Sequence, residues 1–201
     1  MALRISILAT VFALAAAVAA STASAAATSY SGHARPLSVT AFGVGVAIGD
    51  TGALPSTGGS NTSSLTNVNV LGLASVGLLE GSTSGKDDQS TSSASLVSVS
   101  IPIAGLEADV VKSNATAECN GATPSLSGSS DLVNVTILGM PIAAPMPNVA
   151  VTLPGGISVI LNEQTSATSG GKGSMTVNAS HVTGPGTDIV VAGAESDVTC
   201  A

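Results

Sequence analysis

Apolar residues in this chain recur at every second position, in short stretches bounded by Gly, Ser, Thr, Asn and Pro. That period is the signature of strands. Val97, Val99, Ile101 and Ile103 alternate with Ser98, Ser100 and Pro102, and Val133, Val135 and Ile137 with Asn134 and Thr136. Val149, Val151 and Leu153 lead through Pro154-Gly155-Gly156 into Ile157, Val159 and Leu161. This reads as a hairpin with Gly-Gly at its turn. Met175, Val177 and Ala179 form a further strand, and Ile189-Val190-Val191 opens the last. No window carries i, i+3, i+4, i+7 spacing with caps. The expected fold is all-β, an antiparallel β-sandwich or meander, preceded by an N-terminal signal-peptide helix.

The leader is read from its three regions. Arg4 supplies a positive start, residues 5–20 are almost continuously apolar, and small residues follow. Ala23-Ser24-Ala25 and Ala25-Ala26-Ala27 both fit the A-x-A cleavage pattern, placing cleavage at Ala25 or Ala27. The apolar run is shorter than the about 20 residues that a spanning helix needs. The organisation expected is a signal peptide over residues 1–27, a flexible segment over 28–36 and one β-rich domain over 37–201. Export implies a secreted, extracellular or envelope-associated protein, with no membrane contact after cleavage.

The exported part keeps only Tyr30 and Phe42 as aromatics, so its core must come from Val, Leu, Ile and Ala. Residues 58–64, 81–93, 120–130 and 165–174 are rich in Ser, Thr and Gly and read as exposed turns. A weak repeat relates Leu65-Thr-Asn-Val68-Asn-Val70 to Leu96-Val-Ser-Val99-Ser-Ile101 and Leu132-Val-Asn-Val135-Thr-Ile137. Its spacing is uneven, unlike a solenoid, and similar hairpins in a meander account for it.

The formal net charge is −7 and charged residues are only 8 %. Lys86, Lys112 and Lys172 are isolated, which argues against nucleic acid, whose phosphates require clustered cations. The same balance argues against anionic membrane surfaces. Surface polarity must come from Ser, Thr, Asn and Gly.

The order of several features, rather than any one motif, carries a family resemblance over residues 37–200. They are Gly58-Gly-Ser-Asn-Thr-Ser-Ser-Leu65, Val68-Asn-Val70, Cys119 in Ala-Glu-Cys-Asn-Gly, Pro147-Asn148 before a Val/Leu strand, Leu161-Asn162-Glu163-Gln164, and Val198-Thr-Cys200. The chain resembles the choice-of-anchor P family of secreted actinobacterial proteins. That resemblance implies export and envelope or extracellular residence, and it implies no established activity. The sorting signals that vary at the C-terminus of the family have no counterpart in Glu195-Ser-Asp-Val-Thr-Cys-Ala201.

Few constellations point to chemistry. Cys119 and Cys200 are the only cysteines, and export favours a disulfide between them over free or intermolecular thiols. On the chain-entropy account such a link contributes about 4 to 5 kcal/mol. Leu54-Pro55-Ser56-Thr57-Gly58 matches a sortase pattern but lies far from the C-terminus. Gly43-Val-Gly45-Val-Ala-Ile-Gly49 lacks the third glycine of a dinucleotide loop, Gly171-Lys172-Gly173 lacks the hydroxyl of a phosphate loop, and Gly81-Ser-Thr-Ser-Gly85 lacks the serine of a nucleophile elbow. The sequons at Asn61, Asn114, Asn134 and Asn178 matter only in a eukaryotic secretory pathway.

His33 falls in the flexible segment and His181 ends a strand pattern. The acids at Asp87-Asp88, Glu107 and Asp109, and Glu195 and Asp197 read as solvated, with a weak Ca²⁺ site the alternative. Glu163 continues the inward parity of Ile157, Val159 and Leu161, as a buried carboxylate or as the point where the strand leaves the core. Glu163 and His181 are the weak site candidates. No catalytic residue, cofactor or resident metal is expected. The leading reading is a structural or interaction protein of the cell surface or medium, with cell-wall or other surface proteins as partners. The alternatives are a carbohydrate- or other ligand-binding module and, less well supported, a hydrolase.

Overall fold

A computed structural model describes residues 27–144 and 146–201. The leader over residues 1–26, with Ala25, lies outside the described residues, and Ala27 begins the first strand. Two antiparallel sheets pack face to face as an all-β sandwich. The first contains β1 (Ala27–Ala41), β2 (Val44–Ile48), β10 (Val149–Leu153), β11 (Ile157–Ser169), β12 (Lys172–Gly184) and β13 (Thr187–Cys200), in the order β10-β11-β12-β13-β1-β2. The second contains β3 (Gly59–Val70), β4 (Ala74–Lys86), β5 (Gln89–Ile101), β6 (Leu106–Asn120), β7 (Thr123–Val133), β8 (Thr136–Ile137) and β9 (Met140–Pro141). It runs β3-β4-β5-β6-β8-β9, with β7 also paired to β6.

Residues 28–36 are therefore not a flexible extension. They form most of β1, hydrogen-bonded to β13 throughout, with Ala34 and Leu37 fully buried. The other edge of this half of β1 is covered by the chain after β2, through Thr51 N to Ala34 O, Leu54 N to Gly32 O and Tyr30 N to Ser56 O. Leu54-Pro55-Ser56-Thr57-Gly58 is thus part of the fold, with Leu54 buried. The Ser/Thr/Gly-rich segments expected as loops are also mostly strand. The link between β4 and β5 is only Asp87-Asp88, and that between β11 and β12 only Gly170-Gly171.

The strands are long because each changes face partway. In the second sheet one row of residues, Asn67, Gly77, Ser98, Asp109 and Asn134, crosses β3 to the junction of β7 and β8. The ladder keeps its register across it: Val76 pairs with Val99 and Leu78 with Val97. The buried set of β4 passes from Ala74 and Val76 to Leu79, Gly81 and Thr83, and that of β5 from Ser92, Ala94 and Leu96 to Val99 and Ile101. Asn67, Ser98 and Asn134 have φ of 53°, 57° and 52°. A left-handed residue within a strand turns the following side chains to the opposite face, and Asn tolerates that conformation better than most residues. A matching row in the first sheet includes Asn162 (φ 52°) and Ala192 (φ 51°). The weak sequence repeat has its explanation here, because its third position is the left-handed residue of β3, β5 and the β7–β8 junction.

These rows divide the sandwich. On one side the core is Leu, Ile and Val, among them Leu37, Ile101, Leu106, Ile137, Leu161 and Ile189. On the other, much of the interior is Ala, Ser, Thr and Gly, with Ser90, Ser92, Ser113, Ala115, Ala117 and Ser196 fully or nearly fully buried. The Cys119–Cys200 disulfide closes this second side, joining the ends of β6 and β13 with a Cα–Cα separation of 5.4 Å. That lies within the about 4.4 to 6.8 Å that the bond requires.

Candidate functional site

Glu163 and His181, distant in sequence, meet on the outer face of the first sheet. The left-handed Asn162 resets the parity of β11, so Glu163 does not follow Val159 and Leu161 inward. It points outward beside Asn178, its partner on β12. His181 points outward because Ser180 and Val182 take the inward positions. Asp188 on β13 completes the group, positioned by the Pro185-Gly186 turn that pairs Thr183 with Asp188 and His181 with Val190.

The imidazole lies between two carboxylates. Its Nδ1 is 2.9 Å from Glu163 Oε2, and its Nε2 is 3.1 Å from Asp188 Oδ2. Asn178 Nδ2 donates to Glu163 Oε2 at 2.6 Å. Burial opposes charge on His181 and is the largest single influence. The hydrogen bonds to Asp188 and Glu163, with the negative charge of both, together outweigh it and raise the His181 pKa above its ordinary value. A doubly protonated ring donates to both acids at once. With both nitrogens engaged and Ser180 facing the core, the group is a brace across three strands. The arrangement differs from a nucleophile–base pair, in which a ring nitrogen must face a hydroxyl.

The remaining candidates sit nearby or elsewhere. His33 lies in β1 opposite Glu195, with Nε2 3.5 Å from Glu195 Oε2. Arg35 Nε donates to Asp50 Oδ2 at 3.3 Å. His33, Arg35, Glu195 and Asn178 line a shallow depression of 180 Å³. Asp109 accepts from Asn134 Nδ2 at 2.6 Å. Among the described residues no three His, Cys, Asp or Glu side chains are placed to hold a metal ion. Sequence reasoning missed Asp188 and Asn178, although the Gly184-Pro185-Gly186 turn held the register that brings Asp188 to His181.

The outer face of the second sheet is different. One row of paired residues reads Ser60, Ser84, Thr91, Thr116 and Ser127 across five strands. The next reads Thr62, Ser82, Ser93, Asn114 and Ser129. A charged row follows, with Glu80, Lys112 and Asp131. The first two rows form an uncharged lattice of nine hydroxyls and one amide. No strand was expected through most of these residues, so the lattice had no sequence signal in a period search; their i, i+2 recurrence of Ser and Thr was the available one.

No family model, curated protein or solved structure matches the chain.

Proposed function

We propose that this chain is an exported structural or interaction protein of the cell envelope or surroundings. The carrying observation is the hydroxyl lattice of the second sheet, which offers an extended, uncharged, hydrogen-bonding surface instead of a concave catalytic centre. Two further features support the reading. A disulfide belongs to oxidising compartments, and Cys119 and Cys200 are bonded. The resemblance to the choice-of-anchor P family points to the same compartment. Fractionation of the native host, with thiol labelling, tests it. Disulfide-bonded protein outside the cytoplasm is expected; reduced protein confined to the cytoplasm would refute the reading.

A second reading is a module for polyhydroxylated polymers, favoured by the same lattice because neutral hydroxyl and amide rows match the donors and acceptors of a glycan. Pull-down on insoluble cell-wall glycan checks it. Ser93→Lys, which puts a charge at the lattice centre, should abolish retention if the lattice binds there. Retention unchanged by the variant would remove this reading.

A further inference from the structure

Three turns at one end of the sandwich place large apolar residues where the turns at the other end place Asp or Gly. β6 and β13 pack side by side in one direction, as Ser196 Oγ donating to Ala115 O and the disulfide require. Their starts, Leu106 and Thr187, therefore share the pole away from the disulfide. At the disulfide pole, left-handed turn positions are filled by Asp87 and by Gly121, Gly170 and Gly171. At the far pole glycine fills such positions in the turns before β6, β11 and β13 (Gly105, Gly155, Gly156 and Gly186), but three other turns carry Phe42 (φ 51°), Leu71 (φ 48°) and Leu138 (φ 51°), each followed by glycine.

All three belong to that pole. Phe42 N donates to Gly186 O at the turn before β13, and Leu138 N to Gly105 O just before β6. Leu71 lies in the turn before β4, whose Ser75 pairs with Ser100, which in turn pairs with Glu107. The three side chains are 88 %, 92 % and 56 % exposed. Left-handed turn positions favour Asn, Asp and Gly, and a bulky residue there is strained. Water contact adds a second cost. The coincidence of exposed apolar residues at three separate hairpins of one pole, with none at the left-handed turn positions of the other, points to a use for exposed apolar tips.

Against the sequence-based expectation of no membrane contact after cleavage, we propose that this pole docks on an uncharged lipid surface, with Phe42, Leu71 and Leu138 entering the acyl boundary and Val44 and Met140 beside them. Two observations select that occupant. The Lys and Arg side chains of the described residues, Arg35, Lys86, Lys112 and Lys172, all lie on the disulfide side of the transverse rows, and His181, on the far side, is held between Glu163 and Asp188. The pole therefore has no Lys or Arg for anionic headgroups, and the chain carries net −7. The apolar groups also stand on separate tips, whereas a rigid protein partner needs a continuous patch of about 800 Å². A fluid hydrocarbon boundary conforms to separate tips, and apolar side chains enter such interfaces to a depth of about 5 to 10 Å.

The proposal names a partner for the interaction role above, and its assay with purified protein does not depend on export. Reduced cytoplasmic protein would end the export reading and leave the vesicle result standing. The buried core of the described residues runs from Ala34 to Val198, so the segment expected after leader cleavage, residues 27–201, is assayed, free of the apolar stretch at residues 5–20. It should float with phosphatidylcholine vesicles and bind less well when phosphatidylserine is added. Phe42→Asn, Leu71→Asn and Leu138→Asn should each weaken partitioning by about tenfold. The triple variant should stay in solution with an unchanged or higher melting temperature, since Asn suits a left-handed turn. Failure of the parent protein to float, equal binding by the triple variant, or stronger binding to phosphatidylserine would overturn the proposal. So would a parent dimer that the triple variant dissolves, because the tips would then face a second copy.

Discussion

The two halves of the sandwich share the same strands and hold together by different forces. In the aliphatic half, Leu37, Ile101, Leu106, Ile137, Leu161 and Ile189 are fully or nearly fully buried and fill the space between the sheets. Such contacts are non-directional and scale with area. In the disulfide half the interior is small and often polar. Ser90 Oγ donates to Ser31 O at 3.0 Å, Ser92 Oγ to Glu195 O at 2.6 Å and Ser196 Oγ to Ala115 O at 3.0 Å, each from one sheet to the other. Glycines permit the approach: a side chain at Gly128 would run into Met175 and Val177, and one at Gly173 into Pro124. This half buries little apolar area per residue, so directional bonds and a covalent link supply what area does not.

The largest expected effect tests that division directly. Cys200→Ser should destabilise the domain by about 4 kcal/mol on the chain-entropy account. At this size that is a fall in melting temperature of roughly 8 to 16 °C. Hydrogen exchange should rise first in the ends of β6, β13 and β1, with the aliphatic half protected longer. Uniform loss of protection across both halves would contradict the division.

Core substitutions sharpen it. Leu161→Ala in the aliphatic half leaves a cavity and should cost about 2 to 5 kcal/mol. Ala115→Leu in the small-residue half should cost about 1 to 3 kcal/mol by the opposite mechanism, overpacking between close sheets. Denaturant midpoints measure both. An Ala115→Leu protein as stable as the parent would show that the sheets are not closely apposed there.

How much of this was legible depends on the residue type that signals it. The all-β class followed from alternation, and the cysteine pair from count and compartment. Alternation misplaced Val97 and Val133, and left Glu163 open between a buried carboxylate and the point where the strand leaves the core, for one reason. A period of two holds only while the backbone stays extended, and Ser98, Asn134 and Asn162 are left-handed. The repeat was visible as letters, yet its meaning lay in φ. The small-residue strands were invisible for another reason. Ser, Thr and Gly favour turns locally, and here their strand state is fixed by pairing with distant partners. The Glu163–His181 contact needed both the parity reset and the β11–β12 register.

Two buried serines offer a finer test of the small-residue half. Ser92 Oγ is hydrogen-bonded to Thr83 Oγ1 at 2.7 Å as well as to Glu195 O. Ser92→Ala strands these groups and should cost about 1 to 3 kcal/mol. Ser113 is equally buried and its Oγ has no partner among the described residues. Ser113→Ala should leave stability unchanged or raise it slightly. Equal losses for both would mean that side-chain volume, and not hydrogen bonding, joins the sheets.

The smallest expected effect concerns the brace on the outer face of the first sheet. Its carboxylates hold the His181 pKa above the ordinary value, so the protonated ring stabilises the folded state. That contribution is complete below the unfolded value of about 6.5. It is lost as pH rises through the folded-state pKa, where the folded protein releases the proton. Neutral imidazole then donates to only one acid, and Glu163 and Asp188 are left without the cation between them. The Asp188 side chain is 52 % exposed, so solvent screens its part, and the whole effect should be about 1 kcal/mol or less. Urea midpoints of the parent and of His181→Gln, compared at several pH values from 6 upward, isolate it. The parent's advantage should be greatest near pH 6 and shrink as pH rises. An advantage that grows with pH would reverse the sign and show that His181 is held neutral in the fold.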